Sequence, residues 1–252
     1  MAFDPNPALG RVFENAANPA SGDRVTMNGV VEKTAITIGI LILSAIGTWA
    51  YLHSLVSARN DLAFGQALVM ATPLALVTLA LSIWISFRKK VSAIPILIFS
   101  VAEGAVIGAY SYLIAAAAES TEPVMGAISG TFVAVVAVLI AYRFFNISAS
   151  PRLRRFVFVA MIALVLISVV DFILLFSGNA IGVNGLGGIG LIFSLVGLVL
   201  GLLMVLIDFS ATTEAIENGL PAAESWRLAY GFTVSMVWIY MNLLRILAIF
   251  RD

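Results

Sequence analysis

Four ionisable side chains lie inside long uncharged stretches of the sequence: Glu103, Asp171, Asp208 and Arg245. A charged side chain at mid-membrane costs about 2.5–3.5 kcal/mol on insertion scales, and such residues are functional candidates by default. Carboxyls at that depth can hold a proton, attract a cation or pair with a basic group. Asp171 and Arg245 fall toward the same predicted side of the membrane, so we expect them to pair.

Asp208 follows nineteen uncharged residues, 189–207. Counting back from Asp208 at heptad spacing gives one helical face of mostly small residues: Met204, Gly201, Gly197, Ser194 and Gly190. Small residues let a second helix approach closely, as in the GxxxG formed by Gly197 and Gly201. The pattern indicates that Asp208 points into a helical bundle. The alternative is a solvated carboxylate at the membrane interface.

The last apolar stretch carries a polar stripe. Its members are spaced 4, 3, 4 and 3 residues apart: Gly231, Ser235, Trp238, Asn242 and Arg245. This spacing places them on one side of a helix, which favours a helix packed within a bundle. The alternative to a functional role for Ser235 and Asn242 is that they only form hydrogen bonds between helices, worth about 0.6 kcal/mol per bond. Arg245 could instead extend outward to the membrane surface.

Two further features could attract cations. Glu103 lies about ten residues into its stretch beside small residues, which predicts a carboxyl near mid-membrane that is protonated or paired. Glu214, Glu217 and Glu224 follow Asp208 beyond the apolar stretch. Their charge would concentrate cations at the membrane surface.

The elements that position these residues are apolar helices. The chain has 252 residues, 61% hydrophobic and 11% charged, against about 25% charged in ordinary soluble domains. Seven stretches are long enough to span a bilayer, namely 34–56, 66–87, 94–118, 124–142, 156–176, 187–209 and 229–249. Each is continuously apolar rather than alternating, so helices are favoured over a barrel. The sequence predicts an all-α membrane protein, with a polar tail at 1–33, free of a signal peptide, and a seven-helix domain at 34–252.

Several function classes are disfavoured. The formal net charge is zero, so nothing suggests a nucleic-acid partner. The sequence contains no cysteine and no phosphate-binding, zinc-protease or nucleophile-elbow motif. We therefore expect neither an enzyme nor a cofactor, and no metal ligands can be named.

Lysine and arginine give the expected orientation. With the N-terminus in the cytoplasm, eleven of them lie inside: Arg11, Arg24, Lys33, Arg88, Lys89, Lys90, Arg143, Arg152, Arg154, Arg155 and Arg227. Only Arg59 and Arg251 lie outside. This asymmetry predicts a cytoplasmic N-terminus and, after seven spans, a C-terminus outside.

The chain resembles the Bax inhibitor-1 family over nearly its whole length. "IDFSATTEAIENG", with Asp208, Glu214 and Glu217, is similar to the acid-rich end of the family's sixth helix. "LLRIL" resembles the end of the last helix, and "FSVAEGAVIGA" the third helix of bacterial members. "NPALGRVF" and "MNGVVEKTAI" are similar to a bacterial branch, which implies the bacterial inner membrane.

The resemblance implies six helices wrapped around a central seventh, and a pH-sensitive calcium leak. In that picture two aspartates on the sixth and seventh helices share a proton and close the pore, and an arginine on the second helix is linked to them. Asp208 matches the first aspartate, Ser235 occupies the place of the second, and Arg88 is the only arginine near the second helix. The missing acid removes the shared proton and part of the attraction for calcium.

The sequence is also consistent with two other functions. Some bacterial members of the family are thought to regulate another membrane protein, such as a quality-control protease, without conducting ions. The polar tail, with Phe3 and Phe13 as anchors, favours that alternative. A transporter of a small substrate is the third option.

Overall fold

The computed structural model describes residues 24–57, 63–88, 92–145, 147–175 and 177–251. Within them the chain forms seven helices in succession: α1 Met27–Ser57, α2 Ala63–Phe87, α3 Ala93–Ala117, α4 Glu122–Phe145, α5 Pro151–Leu175, α6 Gly188–Glu217 and α7 Glu224–Ile249. The prediction of an all-α membrane protein is confirmed for the described residues. Six helices are long and apolar enough to cross a membrane, and α2 contributes a shorter apolar stretch, Ala71–Phe87.

Several helices extend beyond the predicted apolar stretches at one end. α1 begins at Met27 rather than residue 34, and α6 continues to Glu217 rather than 209. A helix satisfies its own backbone hydrogen bonds, so it can continue into polar sequence where the apolar run stops. The last residues of the predicted tail 1–33 are therefore helical, while residues 1–23, with Phe3 and Phe13, lie outside the described residues.

Large apolar side chains lie on the outside of these helices. Leu43, Val133 and Ile192 are 71%, 68% and 66% exposed. Such surface on continuously apolar helices is covered by lipid. The protein is thus a multi-pass membrane protein in contact with the bilayer.

The chain divides into two units. Of the described residues, the Asp208 unit contains 118–210 and 234–251, and the Glu103 unit contains 24–117 and 211–233. α6 and α7 each contribute residues to both units. α7 is the most buried of the candidate spans, whereas the arrangement of six helices around it stays a prediction.

In the Glu103 unit, α1 and α3 pack closely through glycine. Gly104 lies against the Leu41 carbonyl and Gly108 against the Ala45 carbonyl, so the two helices run in the same direction. Ser44 Oγ donates to the Val101 carbonyl at 2.6 Å. A Cβ at either glycine would collide with backbone, which explains why these positions carry glycine.

In the Asp208 unit, α4 and α7 run in opposite directions. Gly126 lies beside Leu247 and Gly130 beside Leu243. Arg251 and Glu122 form an ion pair of 2.6 Å. Within each unit, the relative directions of these helix pairs agree with a chain whose successive helices cross the membrane in opposite directions.

Candidate functional site

Asp208 and Ser235 are hydrogen-bonded partners. Ser235 Oγ on α7 donates to Asp208 Oδ2 on α6 at 2.6 Å. Ser235 is fully buried and Asp208 is partly buried. The two residues that the resemblance aligns with the aspartate pair are therefore in contact, and Ser235 supplies a neutral hydroxyl.

The small face of α6 brings α7 close to it, as its spacing predicts. A Cβ at Gly201 would lie 2.8 Å from Ile239 Cγ1, and a Cβ at Gly197 would meet the Asn242 amide. Trp238 Nε1 donates to the Gly197 carbonyl at 2.8 Å. Glycine at both positions permits this approach, which confirms that the face carrying Asp208 packs inward.

The polar stripe of α7 faces α6 from Ser235 to Asn242. Asn242 lies against Gly197, and its Nδ2 donates to the Trp238 carbonyl at 2.7 Å. Ser235 and Trp238 each hydrogen-bond to α6. The stripe is thus the surface through which α7 contacts the helix of Asp208.

Asp171 and Arg245 both hold the loop between α5 and α6. The Asp171 carboxylate accepts hydrogen bonds from the backbone N–H of Gly182 at 2.9 Å and of Asn184 at 3.0 Å. Arg245 Nη1 donates to the carbonyl of Val183, which lies between them, at 3.1 Å. Asp171 is only 3% exposed. The loop connects the two residues, and a direct ion pair between them stays a prediction.

A connection between α4 and α5 reaches the end of α6 near Asp208. Ser210 Oγ accepts a hydrogen bond from the Ala149 N–H at 2.9 Å, and Arg154 Nε donates to the Ala149 carbonyl at 3.2 Å. Arg154 is buried. Sequence reasoning missed this role, because Arg154 looked like one of several cytoplasmic arginines. The helix start at Pro151 after Ser150 was the available signal for a tight turn there.

Arg88 lies in the same unit as Glu103, not in the unit of Asp208. Glu103 is partly buried and hydrogen-bonded to Thr78 of α2. Arg88 follows the last residue of α2, is exposed, and places its guanidinium 4.2 Å from the centre of the Trp84 ring. The predicted link between Arg88 and Asp208 stays a prediction.

The acidic cluster after Asp208 is smaller than the sequence suggested. Glu217 is exposed and Glu214 is partly buried at the end of α6. Glu224, however, is 5% exposed, and its Oε2 lies 2.9 Å from Arg227 Nε. The prediction that Glu224 adds surface charge is wrong, since a buried carboxylate requires a partner and Arg227 neutralises it.

Gly219 ends α6 with a paired hydrogen-bond motif. Its φ is +63°, its N–H donates to the Ile216 carbonyl, and the Leu220 N–H donates to the Ala215 carbonyl, both at 3.0 Å. Glycine adopts this left-handed conformation without steric cost. Glu214 and Glu217 therefore lie on the final helical turns rather than in a loop.

Among the described residues, no group of three or more His, Cys, Asp or Glu side chains is placed to hold a metal ion. The chain matches the family model described as Bax inhibitor 1 like over residues 6–252. No curated protein matches it, and no solved structure does.

Proposed function

This chain belongs to the Bax inhibitor 1 like family, and we propose that it is a pH-sensitive cation leak gated through Asp208. The observation that carries the proposal is the 2.6 Å hydrogen bond from Ser235 Oγ to Asp208 Oδ2. It joins α6 to α7 through an ionisable group inside a membrane span, where such groups are functional candidates. No enzymatic activity is part of the proposal.

The hydrogen bond can act as a proton-controlled contact. An ionised Asp208 accepts a charge-assisted hydrogen bond from the Ser235 hydroxyl, which is about twice as strong as a hydrogen bond between neutral groups. Protonation of Asp208 removes that charge and weakens the contact between the helices. Because residue 235 is a serine rather than an aspartate, it adds no like charge beside Asp208, so we expect a weaker pH response than two aspartates would give.

The remaining polar residues support the proposal in different ways. Arg245 fixes α7 to the loop between α5 and α6, and Asp171 fixes the same loop to α5. Asn242 lies against Gly197 of α6, so that a change at Asp208 acts on a defined surface. Glu214 and Glu217 would raise the local concentration of calcium or another cation at the cytoplasmic side. Arg88 is proposed to oppose protonation of Asp208. The proposed location is a bacterial inner membrane, with the N-terminus in the cytoplasm.

The test is cation flux in proteoliposomes containing only this protein. The pH on the cytoplasmic side is stepped from about 8 to about 6, a range that perturbed carboxyls can reach. We expect Asp208→Asn to abolish the pH response and Ser235→Asp to strengthen it. Ser129→Ala is the matched control, because that exposed hydroxyl donates to carbonyls of its own helix. A pH response that survives Asp208→Asn unchanged would contradict the proposed sensor.

A second candidate function is a non-conducting regulator of another membrane protein, such as a quality-control protease. One contact favours it: Val25, just before α1, donates its N–H to the Leu220 carbonyl at 2.8 Å, beside the acidic end of α6. A partner bound to the N-terminal segment would thereby act on this turn. Absence of flux for both wild type and Ser235→Asp, together with co-purification of one defined protease, is the result expected of a regulator.

A further inference from the structure

Three exposed arginines flank the connection between α4 and α5 in the Asp208 unit. Arg143 lies on the last turn of α4, and Arg152 and Arg155 lie near the start of α5. The two helices are joined by residues 146–150, and a connection this short keeps the helix ends within about 22 Å of each other. The three arginines therefore form one basic surface at the same end of this helix pair.

On α5 the basic surface continues into a lipid-facing strip. Phe156 and Val159 follow Arg152 and Arg155 at helical spacing, and all four side chains are exposed. Arg154, between the two exposed arginines, turns inward and is buried. One side of α5 thus presents apolar side chains to the lipid and ends in two arginines.

α4 repeats the pattern from the other side of the connection. Leu139 and Ile140 lie four and three residues before Arg143 and are exposed. Phe144, next to Arg143, is 79% exposed. Arginines keep their charged ends in polar surroundings while their stems cover apolar surface. The basic surface therefore lies where the lipid-facing strips of both helices end, at the level of the lipid headgroups.

The acidic residues of α4 and α5 lie at the opposite ends of these helices. Between Glu122 and Asp171 the sequence contains four arginines and no acidic residue. Glu122 is about 30 Å from Arg143 along α4, and Asp171 is about 24 Å from Arg155 along α5. Asp208 is directed to α7 by its hydrogen bond. The positive charge of the basic surface is thus left for groups in the membrane to balance.

We propose that this basic surface binds the headgroups of anionic phospholipids in the surrounding bilayer. Arginine fits phosphate with two parallel N–H···O bonds, and basic clusters beside a membrane helix attract anionic lipid. A zwitterionic headgroup carries a positive charge of its own, so it balances the arginines less well. The exposed Phe144 and Phe156 suit acyl chains, which a free phosphate ion does not have. This binding does not depend on ion conduction.

The experiment measures which lipid gathers at the connection. The chain contains no cysteine, so Ser148→Cys, at an exposed position of the connection, accepts a single donor fluorophore. The purified full chain is reconstituted in phosphatidylcholine vesicles with a trace of phosphatidylglycerol or phosphatidylcholine, each carrying the same acceptor on an acyl chain. We expect energy transfer to give an association constant at least about fivefold higher for phosphatidylglycerol, the factor that one arginine contributes. Equal association of the two lipids overturns the proposal, since arginines that only set the orientation would not distinguish them.

Two controls separate the basic surface from a general attraction of charge. Thr121→Cys places the fluorophore at an exposed position beside Glu122, at the other end of α4, where we expect no preference for phosphatidylglycerol. Inorganic phosphate at constant ionic strength should leave the preference at residue 148 unchanged. Equal preference at the two positions contradicts the proposal, as does a loss of preference with phosphate, which would indicate a site for a free anion.

Variants then assign the preference to the arginines. Arg152→Gln and Arg155→Gln are each expected to lower the association constant for phosphatidylglycerol about fivefold. Lys33→Gln removes the same charge from the Glu103 unit and is expected to leave it unchanged. An impermeant quencher of the fluorophore at residue 148 identifies variants that keep their orientation in the vesicles.

Arg152→Lys tests the basic surface even where the glutamine variants fail to fold. It keeps the charge but cannot make two parallel bonds to phosphate, so we expect an association constant about twofold lower. An unchanged constant in Arg152→Lys, or equal effects of Arg152→Gln and Lys33→Gln, contradicts the proposal.

Discussion

Replacing Gly201 by leucine should push α6 away from α7, because Gly201 lies on the face of α6 that packs against α7. A Cβ at this position would lie 2.8 Å from Ile239 Cγ1 and 3.1 Å from Trp238 Cδ1. Ile239 is fully buried, so it has little freedom to move away. Leucine adds three more carbons beyond that Cβ, and the helices must shift to accommodate them.

The cost follows from two contributions. Overpacking of a well-packed core costs about 1–3 kcal/mol, and loss of the hydrogen bond from Trp238 Nε1 to the Gly197 carbonyl adds about 0.6 kcal/mol. We therefore expect Gly201→Leu to lower the free energy of unfolding by about 2–4 kcal/mol. For a chain of this size that corresponds to a fall in the melting temperature of about 4–16 °C.

The assay is thermal unfolding of purified protein in detergent, followed by the fraction that stays monodisperse after heating. The matched control is Val199→Phe on the same helix, where the side chain is 57% exposed and added bulk extends into detergent or lipid. We expect Val199→Phe to change the melting temperature by less than a third of the Gly201→Leu effect. Equal losses for the two variants would refute the reasoning that this face packs against α7.

Three further predictions test other parts of the molecule. For topology, an impermeant thiol reagent outside intact cells should label Asn60→Cys, which lies outside the described residues, and spare Ser150→Cys; the reverse result means the opposite orientation. Asp171→Asn removes the negative charge that accepts the backbone hydrogen bonds of the loop between α5 and α6, and hydrogen bonds to a charged group contribute about 1.5–3 kcal/mol. Amide hydrogen exchange in this loop should therefore accelerate at least tenfold. Unchanged protection of these amides would contradict the role of Asp171 in holding the loop. Gly219→Ala forces a side chain into a left-handed conformation and should cost about 1–2 kcal/mol in unfolding experiments. Gly39→Ala, where an added Cβ meets nothing within 4 Å, should cost nothing, and equal effects of the two variants would count against the cap.

The sequence predicts the helices and their packing faces well, because both depend on local spacing. Gly197 and Gly201 could be placed against a neighbouring helix, and the Ser235–Arg245 stripe against a partner, since a period near 3.6 fixes which side chains share a face. The family resemblance placed Ser235 at the position of the second aspartate, whereas the hydrogen bond from Ser235 to Asp208 is a finding of the structure.

Partners distant in the sequence could not be found in the same way. Ser82 and Tyr230 are 148 residues apart, and periodicity says which face is polar but not which helix covers it. The helix ends were also missed, because hydropathy marks where apolar sequence stops rather than where backbone hydrogen bonding stops. Arg245 was predicted as the partner of Asp171 because their charges are opposite. The backbone N–H groups that Asp171 contacts in the glycine-rich loop carry no formal charge, so the sequence gives no sign of them.

The antiparallel bridge between Arg24 and Pro221 has a mechanical consequence. The chain entering α1 is fastened to the turn between α6 and α7 by the Val25–Leu220 hydrogen bond. The contact lies at residues 24 and 25, just before α1 begins at Met27. The backbone hydrogen bond of Val25 and the burial of its side chain together anchor the start of α1 to the turn after α6, so a displacement of that turn would be passed directly to the start of α1.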